Sequence, residues 1–389
     1  MPVRHLQLLQ GCGFRKGLID MKQKSKLIWS LVTLGLAVLT ILVVFSQSKG
    51  LTLGDLADTL LNAHKGWLLL AVLSMLGIIF SEAEALLCLL RHTGYIRRHR
   101  RGLLYASADI YFSAITPSAS GGQPMTAFFM ITDGVPGGVV TVILLVNLIL
   151  YTISILLIGV ISLLIRPSLF LQFSIYSKLL ILLGYLILIG FVFMFFMLLV
   201  NGARLYSWGC VIIKWLYGKK VIKQPEYWRS KLEKVIDDYQ KCVGITRGKP
   251  LMLVEALLLN LMHRISQLSV SMLVYLATGG TAAMALRVWL TQIYVIIGSN
   301  CVPIPGAMGA YDYLMVDGFS SFMSQQDAIR LELLSRSLSF YTCTLISAII
   351  TLIGFIRYKD RKDGSGTSGI RKVLRKVFKK RHITVSKRR

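Results

Sequence analysis

Charged side chains stand inside the apolar segments of this chain, and they are its first candidates for chemistry. A charge at the centre of a bilayer costs about 3 kcal/mol or more, so an ionisable residue within a membrane span is a candidate functional residue. His263, Arg264 and Asp312 are predicted to lie deepest. The complete set is Glu82, Glu84, Asp109, Glu255, His263, Arg264, Arg287, Asp312, Asp317, Glu332 and Arg336.

Arg264 needs a counter-charge if it is buried, because an unpaired ion inside a protein is strongly destabilising. A carboxylate such as Asp109 or Asp312 would form a structural ion pair with it. The phosphate of a passing lipid would serve equally well, since a planar guanidinium binds phosphate through two hydrogen bonds. In a third interpretation, Arg264 faces a polar cavity and has no ligand. The sequence leaves these alternatives open.

Two segments rich in Pro and Gly interrupt the apolar runs: SAITPSASGGQPMTAFFM at Ser113–Met130, and SNCVPIPGAMGAYD at Ser299–Asp312. Pro has no backbone N–H and Gly weakens a helix, so no regular helix is expected through either segment. Broken backbone at membrane depth is tolerated only where it is buried in protein or lines a wet cavity. Two such breaks in corresponding halves of a chain indicate the binding site of a transporter. Close packing of helices alone would also favour small residues such as Gly121 and Gly122.

Helices that begin after these breaks present free N–H groups and a partial positive charge, which suit an anionic headgroup. Hydroxyl and amide side chains in the first break would add neutral hydrogen bonds. The predicted lipid-binding or translocation residues are Thr116, Pro117, Ser118, Ser120, Gly121, Gly122, Gln123, Pro124, His263, Arg264, Pro303, Pro305, Gly306, Gly309 and Asp312. No catalytic residue, metal or cofactor is predicted, because the P-loop, HExxH and GxSxG motifs are absent and the six Cys form no CxxC pair.

Membrane spans must position these residues. The chain is 54% hydrophobic with a mean hydropathy of +0.64, and several apolar runs reach the roughly 20 residues that cross a bilayer. We predict an all-α polytopic membrane protein with about six full spans plus two re-entrant helical hairpins. The predicted spans are Leu27–Phe45, Trp67–Leu90, Gly138–Ile165, Leu179–Val200, Leu251–Ala277 and Leu331–Ile356. The hairpin arms are predicted at Leu103–Ala114, Met125–Ile131, Leu286–Gly298 and Met308–Phe319.

The net charge of +26 collects at the N-terminus, in two mid-chain loops and in the C-terminal tail. Cytoplasmic loops of membrane proteins are rich in Lys and Arg, so we predict that these loops and both termini are cytoplasmic, with anionic lipid headgroups as partners. If both hairpins are re-entrant, they and their flanking spans form an inverted repeat. In the tail, Ile370–Arg381 is predicted to be an amphipathic helix on the membrane surface, with a disordered basic tail as the alternative.

Both breaks carry motifs that resemble the lysylphosphatidylglycerol synthase transmembrane-region family. TP-x-x-x-GGQP is met by Thr116, Pro117, Gly121, Gly122, Gln123 and Pro124, and P-x-PG-x-x-G by Pro303, Pro305, Gly306 and Gly309. This family includes the membrane half of the bacterial multiple peptide resistance factor, and the resemblance implies a lipid-flippase fold over the whole membrane region. Family members commonly carry Gly and then Glu where Ala307 and Asp312 stand here. The implied organisation is a basic cytoplasmic N-terminal tail (1–26), a flippase-like transmembrane domain with a cytoplasmic loop 201–249 (27–356) and a basic amphipathic cytoplasmic tail (357–389).

The expected function is therefore the movement of a polar-headgroup lipid between the leaflets of a bacterial plasma membrane. Candidate substrates are aminoacyl-phosphatidylglycerol, another phospholipid or a polyprenyl-phosphate-linked lipid. One alternative is a phosphatidylglycerol lysyltransferase-type enzyme that uses lysyl-tRNA, although the 389 residues hold no soluble segment long enough for the catalytic domain of the resistance factor. Another is a membrane scaffold without transport. Expected partners are membrane phospholipids and a possible second copy of the chain, with tRNA only under the enzyme alternative.

Overall fold

The computed structural model describes residues 61–116, 119–218, 225–302, 304–307 and 309–358, and throughout these residues the regular structure is helical, without strands. The predicted all-α fold is thereby confirmed for this part of the chain. The predicted N-terminal tail 1–26 and first span Leu27–Phe45 lie outside the described residues. So does the C-terminal tail, apart from Arg357 and Tyr358, which end the last helix.

The described residues form helices at the predicted spans from the second onward and at the predicted hairpin arms, while re-entrant entry of these arms stays a prediction. The helices are α1 (Lys65–His92), α2 (His99–Ile115), α3 (Gly122–Thr132), α4 (Gly137–Ile165), α5 (Pro167–Gln172), α6 (Ile175–Val200), α7 (Gly202–Gly218), α8 (Pro225–Arg247), α9 (Pro250–Ala277), α10 (Ala282–Ser299), α11 (Ala310–Ser320) and α12 (Gln325–Arg336). A short 3-10 turn, Pro305–Ala307, lies between α10 and α11. After α12, a π-helical turn at Ser337–Thr342 leads into further helix that ends at Tyr358.

Among the described residues, six helical segments are long and apolar enough to cross a membrane: α1, α4, α6, α9, α10 and the helix Gln325–Tyr358. All but α10 coincide with predicted spans, so the multi-pass prediction is confirmed. Helix α10 was expected to begin at Leu286 as a short hairpin arm, but it begins at Ala282 and is 18 residues long. At about 1.5 Å per residue it reaches roughly 27 Å, close to the thickness of the apolar layer.

Helix ends follow from local sequence signals. Pro250 opens α9, where a missing N–H removes no helical hydrogen bond. The hydroxyl of Ser324 accepts a hydrogen bond from the backbone N–H of Asp327 at 3.2 Å and so caps α12. Gly94, with φ of 92°, follows the end of α1 in a conformation that glycine adopts readily, and the chain turns there into α2.

The core is built around the pairing of α1 with α9. Small residues mark this crossing: the Ser74 hydroxyl donates to the carbonyl of Ser266 at 2.9 Å, and a side chain at Gly77 would press on Ser266. Small residues let two helices approach closely where the surrounding lipid offers no competing hydrophobic force. Helices α2, α4, α10 and α12 pack against this pair, and Tyr151 of α4 thereby lies at the charged middle of α9.

The predicted cytoplasmic loop 201–249 contains two helices, α7 and α8, which pack on each other. Helix α8 also packs against α4, so this region is attached to the membrane helices. The described residues of this region are largely helical, while its position on the cytoplasmic side stays a prediction.

Candidate functional site

The first break is a compact turn between α2 and α3. The Thr116 hydroxyl donates to the Phe112 carbonyl at 2.6 Å and accepts from the Gly121 N–H at 2.8 Å, and Ser113 donates to the Ala119 carbonyl at 3.3 Å. Ala119 adopts a left-handed backbone, with φ of 53°. These hydrogen bonds satisfy polar groups of the described part of the turn from within the turn, as broken backbone at membrane depth requires.

The predicted residues of this break divide between an exposed tip and a packed base. Ser120 and Pro124 are exposed, whereas Gly122 is buried against α2. A Cβ at Gly122 would overlap the Asp109 carboxyl and the Ser113 hydroxyl, so only glycine fits there. The Gln123 side-chain amide donates a hydrogen bond to Asp109 Oδ2 at 3.4 Å, and this contact connects the break to α2. Pro117 and Ser118 lie outside the described residues.

The second break is organised by an arginine that the sequence analysis did not include in the site. Arg336 forms an ion pair with Asp312 and donates to the Gly306 carbonyl at 2.9 Å. Its guanidinium carbon lies 4.7 Å from the ring centroid of Tyr311. Asp312 also accepts from the Gly309 N–H at 3.0 Å and so caps α11. Asp312 is therefore the ion-pair partner of Arg336. It was one of the two carboxylates named as a counter-charge for Arg264, but it pairs with Arg336 instead.

Backbone conformation and packing make this second turn tight. Gly306 and Gly309 have φ of 60° and 79°, and Ala307 has φ of 51°. A Cβ at Gly306 would overlap the ring of Phe340, which belongs to the π-helical turn. Pro305 opens the 3-10 turn, while Pro303 lies outside the described residues. Burial raises the pKa of Tyr311 to about 12, so this ring neighbour of Arg336 stays neutral at physiological pH.

His263 and Arg264 occupy the middle of the 28-residue helix α9, and both are buried. The His263 ring lies 3.6 Å from a carboxylate oxygen of Glu82 on α1. The Glu82 carboxyl in turn faces the Asp109 carboxyl on α2 within hydrogen-bonding reach. Because Asp109 also meets Gln123, a continuous polar path runs from the first break to the charged middle of α9.

Arg264 is 1% exposed, yet its guanidinium is only partly satisfied. One terminal nitrogen donates to the Gln267 side chain, and the guanidinium carbon lies 3.7 Å from the ring centroid of Tyr151. The Nε and the other terminal nitrogen have no hydrogen-bond partner among the described residues. Within the same residues no carboxylate lies within 4.0 Å of this guanidinium, so the expected structural ion pair with Asp109 is not formed.

Helix α2, which leads into the first break, packs against the turn Pro305–Ala307 of the second break. Two arginines stack on aromatic rings, Arg264 on Tyr151 and Arg336 on Tyr311. Arg264 acts electrostatically on Glu82, whereas Arg336 pairs with Asp312 and acts electrostatically on Glu332. Of the predicted site residues, His263 and Arg264 thus lie in one charged cluster and Asp312 in another.

Two further groups lie at the end of α1. Cys88, His92 and Glu255 place potential metal-ligating atoms within 4.8 Å of one another, although their sequence spacing did not suggest a metal site. Beside them is an open cavity of about 600 Å³, lined by Arg91, His92, Thr93, Gly94, Gly244, Gly248 and Lys249. At the end of α3, the Tyr105 hydroxyl donates to Asp133 at 2.6 Å, and burial, with Asp133 beside it, raises the pKa of Tyr105.

Long apolar helices, broken by Pro and Gly and enclosing charged clusters, define a polytopic α-helical membrane protein. Residues 32–347 match the family model described as the lysylphosphatidylglycerol synthase TM region, and the chain belongs to this family. A search among curated proteins found no match to the chain.

Proposed function

We propose that this protein carries a lipid with a phosphate-containing headgroup between the two leaflets of a bacterial plasma membrane, with both termini in the cytoplasm. The observation that carries the proposal is Arg264, a buried guanidinium at mid-span with two unpartnered nitrogens. A buried guanidinium without a directly hydrogen-bonded anion is costly, whereas a phosphate would accept two parallel hydrogen bonds from it. The unpartnered nitrogens are the ones that such a headgroup would occupy.

The route to Arg264 runs along the polar groups of the first break. In this proposal the two hairpins enter the membrane from opposite faces as an inverted repeat and meet beside the site. Contact between α2 and the turn Pro305–Ala307 supports this arrangement, as does the polar path from Gln123 through Asp109 to Glu82. The lipid tails would remain in the bilayer while only the headgroup crosses between the helices.

The family supports a role at the lipid bilayer, and the chemistry of the site indicates the class of substrate. A charged headgroup crosses a pure bilayer slowly because a charge at the centre costs several kcal/mol, or roughly a factor of ten in rate for each 1.4 kcal/mol. A hydrated groove with a fixed cation lowers that barrier for anions. The site therefore favours phosphate-bearing lipids over neutral ones.

Reconstitution tests the proposal. The purified protein is placed in vesicles of phosphatidylethanolamine and phosphatidylglycerol, a short-chain fluorescent phosphatidylglycerol is added to the outer leaflet, and albumin then extracts whatever has stayed outside. We expect protein-containing vesicles to retain about half of the probe at equilibrium by simple equipartition, and protein-free vesicles to retain little. Retention equal to that of protein-free vesicles would overturn the proposal.

Variants identify the site within the same assay. Arg264→Ala should slow probe entry at least about tenfold, and Arg264→Lys should restore only part of the rate, because an ammonium is a point charge without the planar fork. Arg287→Ala on α10 is the matched control and should transport like wild type. Arg287 is partly exposed and its guanidinium contacts the Met284 sulfur at 3.7 Å. Equal rates for Arg264→Ala and Arg287→Ala would remove Arg264 from the site.

A further inference from the structure

Two acidic side chains face each other beside Arg264, in the membrane interior. Glu82 is 8% exposed, and its carboxyl lies within hydrogen-bonding reach of the Asp109 carboxyl. One oxygen of Asp109 is buried and has no hydrogen-bond donor among the described residues. Two carboxylates that share one site cannot both hold a negative charge without strong repulsion, so such a pair shares a proton. The proposed lipid pathway does not by itself explain this pair.

Every helix that packs against Glu82 brings a polar or titratable group toward it. Helix α2 brings Asp109, and α9 brings His263 at 3.6 Å together with Arg264, which acts on Glu82 electrostatically from beyond salt-bridge distance. The segment that follows α12 brings the Cys343 thiol, which is buried and close enough to interact with Glu82.

The α4 side contributes an aromatic ring. Tyr151 packs edge-on against His263, at 5.6 Å between ring centroids, and face-on against Arg264. Of the groups around Glu82, Arg264 is the permanent cation. The charge of the cluster therefore depends on how many protons its acidic residues and histidine hold.

We propose that the Glu82–Asp109 pair binds the proton that accompanies each anionic lipid headgroup across the membrane. This inference rests on the proposed function. In the lipid-free state, an ionised carboxylate of the pair balances the nearby Arg264 charge. When a headgroup phosphate binds the guanidinium, it replaces that carboxylate as counter-ion, and the pair takes up one proton from the same side.

Charge and atoms balance in this cycle. One proton enters with one phosphate monoanion, no bond other than the O–H bond of the carboxyl forms, and both leave together on the other side, where the carboxylate again faces Arg264. The site thus changes sides with the same net charge whether it is empty or loaded, which avoids moving an unbalanced charge through the apolar layer. The transport is therefore electroneutral, and a pH gradient drives it.

A pH gradient across the reconstituted vesicles tests this coupling. With one proton per lipid, each pH unit supports a leaflet ratio of about tenfold. A lumen one unit more alkaline than the medium should raise the retained fluorescent phosphatidylglycerol from about half to about nine-tenths by the same ratio, and the reversed gradient should lower it to about one-tenth. A protonophore should return both values to about half.

The outcomes separate the two proposals. Retention near half that ignores the pH gradient would overturn proton coupling and leave lipid transport standing. Retention at the protein-free level would overturn lipid transport itself, and the coupling with it. A potassium-diffusion potential without a pH gradient should leave retention at about half, and a shift under that condition would overturn the electroneutral exchange.

Replacement of the acids tests the assignment of the proton site. The double variant Glu82→Gln/Asp109→Asn, which removes both acids, should abolish the response to the pH gradient, and a full response in this variant would overturn the assignment. Infrared spectroscopy gives a readout that does not depend on transport: the lipid-loaded protein should show the C=O band of a protonated buried carboxylic acid. Glu82→Gln should weaken that band, whereas Glu332→Gln in the second cluster should leave the Glu82 contribution in place. A band with the same amplitude in wild type and Glu82→Gln would also count against the proposal.

Discussion

The guanidinium of Arg264 lies 3.7 Å from the ring centroid of Tyr151, and this ring is the principal neighbour of the most deeply buried cation among the described residues. An aromatic face attracts a cation without forming an ion pair, which leaves two guanidinium nitrogens available. Arg336 stacks on Tyr311 but is also paired with Asp312. The two arginines therefore differ: Arg336 has an ion-pair partner, whereas Arg264 has none within 4.0 Å among the described residues, as the proposed headgroup site requires.

Replacing Tyr151 should separate the role of the ring face from that of the hydroxyl. Tyr151→Phe keeps the face and should transport fluorescent phosphatidylglycerol at close to the wild-type rate. Tyr151→Leu removes a desolvated cation–π contact worth about 2 kcal/mol, so we expect slower transport and a lower unfolding midpoint in detergent. Equal behaviour of the two variants in both measurements would contradict a role for the ring.

Gly122 should not tolerate a larger side chain. A Cβ at this position would overlap the Asp109 carboxyl and the Ser113 hydroxyl, so Gly122→Ala should destabilise the protein by about 1–3 kcal/mol through overpacking. Thermal unfolding of the detergent-solubilised protein measures the change. Gly137→Ala at the start of α4 is the matched control, because a Cβ there meets nothing within 4 Å. An unfolding midpoint lowered equally in both variants would show that the Asp109 contact is not the cause.

Arg336 and Asp312 should stabilise the protein jointly, through their ion pair, rather than independently. Arg336 is 3% exposed and Asp312 is 25% exposed, so removing one partner leaves a poorly solvated charge. Arg336→Met and Asp312→Asn should each lower stability by about 3 kcal/mol or somewhat less, given the partial exposure of Asp312. The double variant should be less destabilised than the sum of the two changes, as a double-mutant cycle of unfolding free energies measures. Additive changes would show that the two residues act independently.

Opposite entry of the two hairpins can be tested by labelling. In a cysteine-free background, Ser120→Cys and Ile304→Cys place single thiols on exposed positions of the first and second breaks. A membrane-impermeant maleimide should reach Ser120→Cys only from the cytoplasmic side and Ile304→Cys only from the outside. Reaction of both thiols from one face would contradict the inverted repeat. The double variant should form a crosslink if the two tips converge as the contact of α2 with Pro305–Ala307 suggests.

The sequence was sufficient for the spans because apolar length alone decides them. Gly138–Ile165 was predicted and Gly137–Ile165 is observed, and Leu251–Ala277 compares with Pro250–Ala277. The start of α10 was missed by four residues, because Ala282–Ala285 contains no Leu, Ile, Val or Phe to mark the beginning of a span. The sequence predicts which helix carries a residue, and the prediction succeeds where a feature depends on a single helix.

The sequence did not predict which side chains from other helices lie next to the site residues. Glu82 and Asp109 were both recognised as charges within apolar segments, but only the packing of α2 on α1 shows that Asp109 stands between Glu82 and the first break. Arg336 lies in a predicted span, and nothing in its local sequence connects it with Asp312. The π-helical turn that brings Phe340 onto Gly306 likewise has no local sequence signal.

Ala119 and Ala307 both adopt left-handed backbone conformations, one at the tip of each break. An alanine in that conformation lies about 1 kcal/mol above its preferred state, because its Cβ crowds the following carbonyl. The backbone at both tips is therefore strained in the same way. A rearrangement that moved either alanine into a right-handed conformation would release this strain. The strain therefore lowers the free-energy cost of rearranging the tip.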